Sequence, residues 1–339
     1  MDKMKKLMKM IAIPMVILLL SASSMTNIAC NVKINHQLQQ SIDEVVLQTN
    51  FKPHVVVAMI DSGINVYHEI FRREDMVQHP STYIGGFPED AEAINLTFGD
   101  DWESNYENDK EIWENLEEKK LYWFPHTNII GISFGQSTWY GREEPGDPIL
   151  DDVGHGTSTS SIIEKINPNV TILMVETGGN KLKEALSWTV NRSWIDIIVP
   201  EFGVWYRPRM LFWTTIWWSG FQEISKRGVK NGKIIVTAAG NRPWIIPELS
   251  YISGPPWVIS VGGAEGYCHG IDLSTAKSAD YVSTFTRKIA FHFNTSTYWV
   301  GSGTSLSIPT VAGTLSSIIL KIREELNELY LWNKEWGID

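Results

Sequence analysis

The sequence has little cysteine and no excess of positive charge. Only two cysteines, Cys30 and Cys268, occur in 339 residues, too few for a disulfide framework. Lysine and arginine number 29 against 39 acidic residues, and the formal charge is −10. A nucleic-acid partner is therefore not expected, because phosphate contacts need clustered basic side chains. Internal repeats and low-complexity tracts are absent as well, which excludes a repeat protein.

Long hydrophobic runs are scarce, and the one membrane candidate lies at the N-terminus. Eleven mostly apolar residues, 10–20, follow four lysines and precede small residues at 21–24. This is the pattern of a secretory signal, and eleven residues are too few for a spanning helix, which needs about 20. We predict export, with residues 1–29 as the signal peptide. Two alternatives stay open: an uncleaved anchor on the outer face of the membrane, and lipid attachment at Cys30.

The remaining chain has an ordinary globular balance, with 43% hydrophobic and 20% charged residues. The apolar, β-branched run 54–60 predicts a buried parallel strand. After residue 150, predicted helices (156–166, 181–190, 214–228, 304–330) alternate with predicted strands (170–175, 195–200, 233–239, 257–262). This alternation predicts an α/β fold with a mainly parallel sheet and helices on both faces.

Residues 65–150 have a different character. They are rich in proline, glycine, aromatics and acids, with little periodicity, and the stretch from Glu89 to Glu118 holds twelve acids and one base. We interpret 65–150 as a large irregular insertion in a domain spanning 54–330. An N-terminal arm, 30–53, precedes this domain, and a short tail, 331–339, follows it.

Three short segments follow predicted strands or open predicted helices, where parallel α/β sheets bind their ligands. Asp61 stands in Asp-Ser-Gly, His155 in Gly-His-Gly-Thr, and Ser305 in Gly-Thr-Ser-Leu-Ser-Ile-Pro. Each alone is a common turn former or helix cap. Together they offer a nucleophile, a base for its proton, and a carboxylate to orient the base.

The order Asp, His, Ser and these contexts resemble the subtilisin-like serine proteases, or subtilases. Residues 236–241 resemble the oxyanion-hole segment of the family, with Asn241 as the donor. Residues 197–203 resemble its substrate-lining strand, which implies substrate contacts at Glu201, Phe202 and Gly203. Residues 253–262 resemble the segment after the oxyanion asparagine. The resemblance covers 55–63 and nearly all of 151–325, about half of the chain.

The sequence departs from the family pattern at three places. Residues 158–161 are Ser-Thr-Ser-Ser, where the family commonly has a second histidine and an Ala-Gly pair. Leu306 and Ser307 replace the usual Met-Ala. Glu201 and Phe202 replace smaller, less acidic residues, and an acid beside a substrate pocket would favour basic substrate side chains.

The resemblance implies a secreted serine endopeptidase with a subtilisin-like fold. In that mechanism Ser305 attacks the peptide carbonyl, His155 transfers the proton, Asp61 orients His155, and Asn241 stabilises the oxyanion. The implied partner is a peptide or protein substrate, and the chemistry needs no metal or organic cofactor. The family often carries structural calcium, which the acidic insertion could bind; a solvated acidic loop is the more ordinary interpretation.

Two other functions compete with this one. A sedolisin-type acid protease would need glutamate in place of His155 and aspartate in place of Asn241. A catalytically inactive secreted binding protein of the same fold would be free to lose any of the four groups, yet all four are present. Residues 31–53 are too few to fold alone, so we also expect no self-processed pro-domain.

Overall fold

A nine-stranded, mostly parallel sheet forms the centre of the protein. The computed structural model describes residues 54–87, 90–135, 146–178, 180–202, 211–240, 252–263, 279–283 and 286–326. All of them belong to the compact unit Phe51–Asp339. The predicted signal peptide, arm and tail lie outside the described residues, as do Gly203 and Asn241.

The sheet contains nine of eleven strands: β1 (Val55–Asp61), β2 (Glu92–Ala93), β3 (Tyr122–Trp123), β4 (Ile129–Ser133), β5 (Val170–Glu176), β6 (Ile197–Pro200), β7 (Ile234–Ala238), β8 (Ile259–Gly263) and β9 (Tyr281–Ser283). Their order is β2-β3-β4-β5-β1-β6-β7-β8-β9, and only the β3–β4 pair is antiparallel. The other two strands, β10 (Thr286–Ala290) and β11 (Tyr298–Ser302), form a separate antiparallel pair.

Strand β1 lies in the middle of this sheet and is buried on both faces. Val57 and Met59 belong to one apolar cluster, and Ala58 and Ile60 belong to the cluster on the opposite face. This is why β1 is a continuous apolar run rather than an alternating one. Its last residue, Asp61, is therefore carried to the carboxyl edge inside the core.

Five helices complete the described fold: α1 (Trp102–Glu114), α2 (His155–Ile166), α3 (Leu182–Val190), α4 (Leu211–Lys230) and α5 (Thr304–Leu326). Helices α2 and α5 contribute to the cluster that contains Val57, and α3 and α4 contribute to the opposite cluster. The predicted α/β fold with helices on both faces is confirmed. After residue 150 each predicted helix and strand is present, and the described boundaries lie within four residues of those predicted; β9, β10 and β11 were not predicted.

The structure corrects the prediction for residues 65–150. This segment contains α1 and the three strands β2, β3 and β4, and β4 pairs in parallel with β5. Part of the predicted insertion is therefore a buried portion of the central sheet. The run Ile-Ile-Gly-Ile-Ser of β4 is too short to show a hydrophobic periodicity. It also lies among acidic and aromatic residues, so the sequence pattern did not indicate a strand there.

The acidic helix α1 is attached to the core by a buried polar cluster. Asp109 accepts hydrogen bonds from the Tyr67 hydroxyl at 2.9 Å and from the backbone N–H of Thr97 at 2.7 Å. Trp113 donates its indole N–H to the same Tyr67 hydroxyl at 2.7 Å. Asp109 is therefore a structural anchor, whereas a solvated acidic loop would leave it exposed.

Candidate active site

Asp61 and His155 meet at the carboxyl edge of the sheet. His155 is the first residue of α2, and its Nδ1 lies 2.8 Å and 2.9 Å from the two carboxylate oxygens of Asp61. Asp61 is buried, while the His155 side chain is 34% exposed. Because Nδ1 faces the carboxylate, the fitting neutral tautomer carries its proton on Nδ1 and leaves Nε2 as a base.

The charge of Asp61 dominates the electrostatics of His155. Burial by itself lowers the pKa of the ring, but the Asp61 carboxylate and its hydrogen bond outweigh burial and raise the pKa of His155 to about 9. A negative charge on Glu201 or on Asp151 would act in the same direction. His155 and Asp61 thus form an ion pair until the ring loses its proton.

Asp151 fixes the turn that leads into α2. Its Oδ1 accepts hydrogen bonds from the N–H of Val153 (3.1 Å), the N–H of Gly154 (2.7 Å) and the hydroxyl of Ser62 (3.0 Å). Its Oδ2 accepts from the N–H (2.8 Å) and the hydroxyl (2.6 Å) of Thr157. The side chain is buried, so five donors depend on one carboxylate for their partners. The turn that precedes His155 is therefore held rigid by these hydrogen bonds.

Glycines flank His155 for steric reasons. Gly154 has a φ of 90°, in the left-handed region, and a Cβ there would contact the ring of His292. A Cβ on Gly156 would contact the carbonyl oxygen of Gly63, in the turn that follows β1. The Gly-His-Gly pattern is thus explained by the close approach of α2 to the end of β1.

Two further donors hold the Asp61 carboxylate. The backbone N–H of Ser62 donates to Oδ1 at 2.7 Å, and the hydroxyl of Thr159 donates to Oδ2 at 2.9 Å. Thr159 lies one helical turn after His155, on the same face of α2. The sequence analysis missed both Thr159 and Asp151, although each lies four residues from His155.

Ser305 is the second residue of α5, the other helix that begins at this edge. Its side chain is partly exposed. Both His155 and Ser305 lie in described parts of the chain (146–178 and 286–326). Within these described residues the His155 ring makes no hydrogen bond to the Ser305 hydroxyl. Pro309 stands inside α5, so its missing N–H leaves the carbonyl of Ser305 without its usual helical partner.

Helices α2 and α5 pack against each other. A Cβ on Gly313 would lie 3.3 Å from the Cα of Ile163, and Asn167 donates its side-chain N–H to the Ser316 hydroxyl at 2.9 Å. Both contacts join residues 149 or 150 positions apart (316−167 and 313−163), so the helices run parallel. Continued to the helix starts, the same offset predicts that Ser305 lies near His155.

Glu201 and Phe202, the described part of the predicted substrate strand, follow β6 and face opposite sides of the sheet. Phe202 packs on the cluster that contains Ile60, whereas Glu201 is buried on the side of Asp61. Burial raises the pKa of Glu201 well above its ordinary value; the positive charge of His155 opposes this shift and Asp61 adds to it. The two side chains therefore do not line one common pocket, and their contact with substrate stays a prediction.

No family model and no curated protein matches the sequence. Among solved structures, a lanthipeptide protease overlaps with a TM-score of 0.52 at 17% identity, over 84% of this chain and 78% of that one. The fold is subtilisin-like. An epidermin leader-peptide-processing serine protease from Staphylococcus aureus overlaps less closely (TM-score 0.48, 16% identity, 80% of this chain and 66% of that one). Sphericase also overlaps less closely than the lanthipeptide protease (TM-score 0.45, 13% identity, 86% of each chain).

In this subtilisin-like fold Asp61, His155 and Ser305 belong to the elements that meet at the carboxyl edge, while Gly203 and Asn241 fall outside the described residues. No group of three or more His, Cys, Asp or Glu side chains is placed to hold a metal ion in the described part of the chain. The structural calcium that the resemblance implies stays a prediction.

One described helix is long and apolar enough to cross a membrane. It is α5, over Thr304–Glu325, and half of its most apolar stretch is buried inside the protein. Helix α5 packs on the central sheet and on α2. Its apolar composition is that of a core helix.

Proposed function

We propose that the protein is a serine endopeptidase that hydrolyses peptide bonds through Asp61, His155 and Ser305. The observation that carries the proposal is the pairing of His155 Nδ1 with the buried Asp61 carboxylate, at 2.8 and 2.9 Å. This pairing leaves Nε2 as the free ring nitrogen, and Ser305 stands in the first turn of α5, which runs parallel to α2. A base with a fixed tautomer beside a serine is the requirement for acyl transfer.

The reaction then follows from these groups. The Ser305 Oγ forms a bond to the peptide carbonyl carbon while its proton passes to His155 Nε2, and the C–N bond breaks as that proton passes to the leaving amine. Water repeats the sequence on the acyl-enzyme. The oxyanion receives a backbone N–H near Ser305, at the start of α5. Asn241 is its side-chain donor by resemblance alone.

The substrate is a peptide or protein chain met outside the cell, since the N-terminal segment has the pattern of an export signal. Intact-mass measurement of the secreted protein tests this part. Loss of about 29 residues supports a cleaved signal, a lipid-sized increase supports attachment at Cys30, and a full-length, membrane-bound product supports the anchor. Equal masses for wild type and Ser305→Ala, apart from one oxygen, support the absence of self-processing.

Covalent labelling by a serine-directed phosphonate tests the chemistry. We expect labelling of wild type and none of Ser305→Ala or His155→Ala, each checked by thermal unfolding. The assay runs from about pH 7 to about pH 10, because the base must first lose its proton. Labelling of Ser305→Ala at the wild-type rate contradicts the assignment of the nucleophile. No labelling of wild type at any pH supports the secreted binding protein.

A further inference from the structure

Two carboxyl side chains lie next to each other at the end of neighbouring strands. Ile60 of β1 is paired with Pro200 of β6, and the backbone N–H of Glu201 donates to the carbonyl of Ile60 at 3.1 Å. The next pair in this register is Asp61 with Glu201. Adjacent strands lie about 4.8 Å apart and paired residues point to the same face. Asp61 and Glu201 are therefore side by side.

The surroundings of these two carboxyls differ sharply. Three donors reach Asp61: the N–H of Ser62, the hydroxyl of Thr159 and Nδ1 of His155, all between 2.7 and 2.9 Å. Neither carboxyl oxygen of Glu201 has a hydrogen-bond partner in the part of the chain that the structure describes. Both side chains are buried, with 2% and 7% of their residue surface exposed.

This difference decides where the negative charge lies. A buried carboxylate without donors is costly, and two adjacent carboxylates also repel each other. The pair therefore holds one negative charge and one proton. The charge is most stable on the carboxyl with the donors, which is Asp61, and the proton stays on Glu201. The raised pKa of Glu201 agrees with this division.

We propose that Thr159 is a positioning residue, whose hydroxyl assigns the single negative charge of this pair to Asp61 and leaves Glu201 a neutral acid. The hydroxyl also lies 3.1 Å from the carbonyls of His155 and Gly156, but a carboxylate is the stronger acceptor for its one hydrogen. The proposal rests on the proposed function: a charge on Asp61 contacts the His155 ring directly.

Asp151, Glu176 and His292 are further ionisable groups around the pair. Asp151 accepts five hydrogen bonds. Glu176, paired with Asp61 on the β5 side, accepts from the N–H of Ile149 at 2.5 Å. His292 contacts Gly154. All three stay unchanged in the variants below, so their effect on His155 is constant.

The first test measures the titration of the His155 ring by nuclear magnetic resonance in Ser305→Ala protein. In Thr159→Val the ring pKa should fall by about one unit, because Asp61 then shares the proton with Glu201 and loses part of its charge. Thr159→Ser should restore the original value. Thr189→Val is the matched control, since Thr189 is a buried hydroxyl that bonds the carbonyl of Ala185, in α3.

The second test looks for the proton on Glu201 by infrared spectroscopy at neutral pH. The protein carries Ser305→Ala and Glu164→Gln, because Glu164 is a second buried carboxyl with a pKa raised, by burial, to about 8. We expect a protonated-carboxyl band that disappears when Glu201→Gln is added. Adding Glu201→Gln to Thr159→Val should also abolish the fall in the His155 pKa, since the competing carboxyl is gone.

Three results would overturn the proposal: an unchanged or raised His155 pKa in Thr159→Val, an infrared band that survives Glu201→Gln, or a similar effect of Thr189→Val. In active protein, a lower ratio of kcat/KM for lysine over leucine substrates in Glu201→Gln would also contradict it, because Glu201 would then be an ionised pocket acid. The spectroscopic tests use Ser305→Ala protein, so failure of the proposed peptidase activity leaves them decidable.

Discussion

Helices α2 and α5 both begin at the carboxyl edge of the sheet, but their first turns are held in different ways. The start of α2 is bonded to Asp151 through Gly154 and Thr157, and to the Ser62 hydroxyl through Gly156. At the start of α5 the N–H of Leu306 bonds the carbonyl of Gly303, the Ser307 hydroxyl donates to the carbonyl of Ser283 at 3.3 Å, and the Ser305 side chain is partly exposed.

This difference matches the roles of the two residues. His155 must keep one tautomer and one orientation throughout a reaction, so its surroundings are built in advance. Ser305 must be reached by a substrate, so its side chain is left accessible. In the proposed peptidase the base is thus rigid in the free protein, and the nucleophile is accessible to the substrate.

Removing the charge that orients His155 should have the largest effect. Asp61→Asn is expected to lower kcat by about 10⁴, as in other Ser-His-Asp sites, because the amide cannot hold the same tautomer. The measurement is single-substrate kinetics on a peptide ester or amide. Asp280→Asn is the control, since Asp280 accepts from Ser260 at the far side of the sheet. Equal losses in both variants would contradict the role of Asp61.

The rigidity of the α2 start should appear in stability. Asp151→Ala leaves buried donors without partners, and we expect the free energy of unfolding to fall by about 3 kcal/mol. Ser305→Ala, at the less bonded helix start, should change it by under about 0.5 kcal/mol. Denaturant titration measures both. A cost for Ser305→Ala as large as that for Asp151→Ala would remove the contrast between the two helix starts.

The ion pair at α2 also predicts a pH dependence. The Asp61 carboxylate raises the pKa of His155 from its ordinary value of 6.5 to about 9, against the effect of burial, so kcat/KM should rise about tenfold per pH unit towards pH 9. The stability that the pair contributes is complete below the unfolded pKa, near 6.5, and is lost as pH rises through 9. Asp61→Asn should lower the pH at which activity appears. A plot of kcat/KM against pH whose rising limb stays at the same pH in this variant would refute the assignment of the ion pair.

The smallest effect is expected where α2 and α5 touch. In Gly313→Ala the new methyl group would lie 3.0 Å from the Cβ of Ile166, so the helices must separate slightly. Better helix propensity offsets part of the crowding, and stability should change by under about 1 kcal/mol. A displacement of α5 also displaces Ser305. We therefore expect kcat to fall severalfold, although the free energy of unfolding changes little. Gly228→Ala, facing Val190 on the opposite face, is the control.

Sequence patterns predicted the elements that have a local signature. The alternation after residue 150 gave α2 to α5 and β5 to β8 but not β9 to β11, and the contexts of Asp61 and His155 placed both at the edge where they meet. Strand β4 was missed because five residues carry no period. Thr159 was missed because the partner of its hydroxyl lies 98 residues earlier in the chain. The opposite directions of Glu201 and Phe202 follow from strand geometry, which the resemblance alone did not supply.

The central position of β1 has a consequence for biosynthesis. Val55 pairs with Val170, 115 positions later, and Val57 pairs with Ile197, 140 positions later. At a synthesis rate of roughly 5–20 residues per second, this apolar strand waits on the order of ten seconds for its first neighbour in the sheet. Pairings between such distant segments are also slow to form. An unfinished chain would therefore be prone to aggregate, and the proposed peptidase could not yet cut its neighbours, because the proposed nucleophile, Ser305, is synthesised with the last described helix.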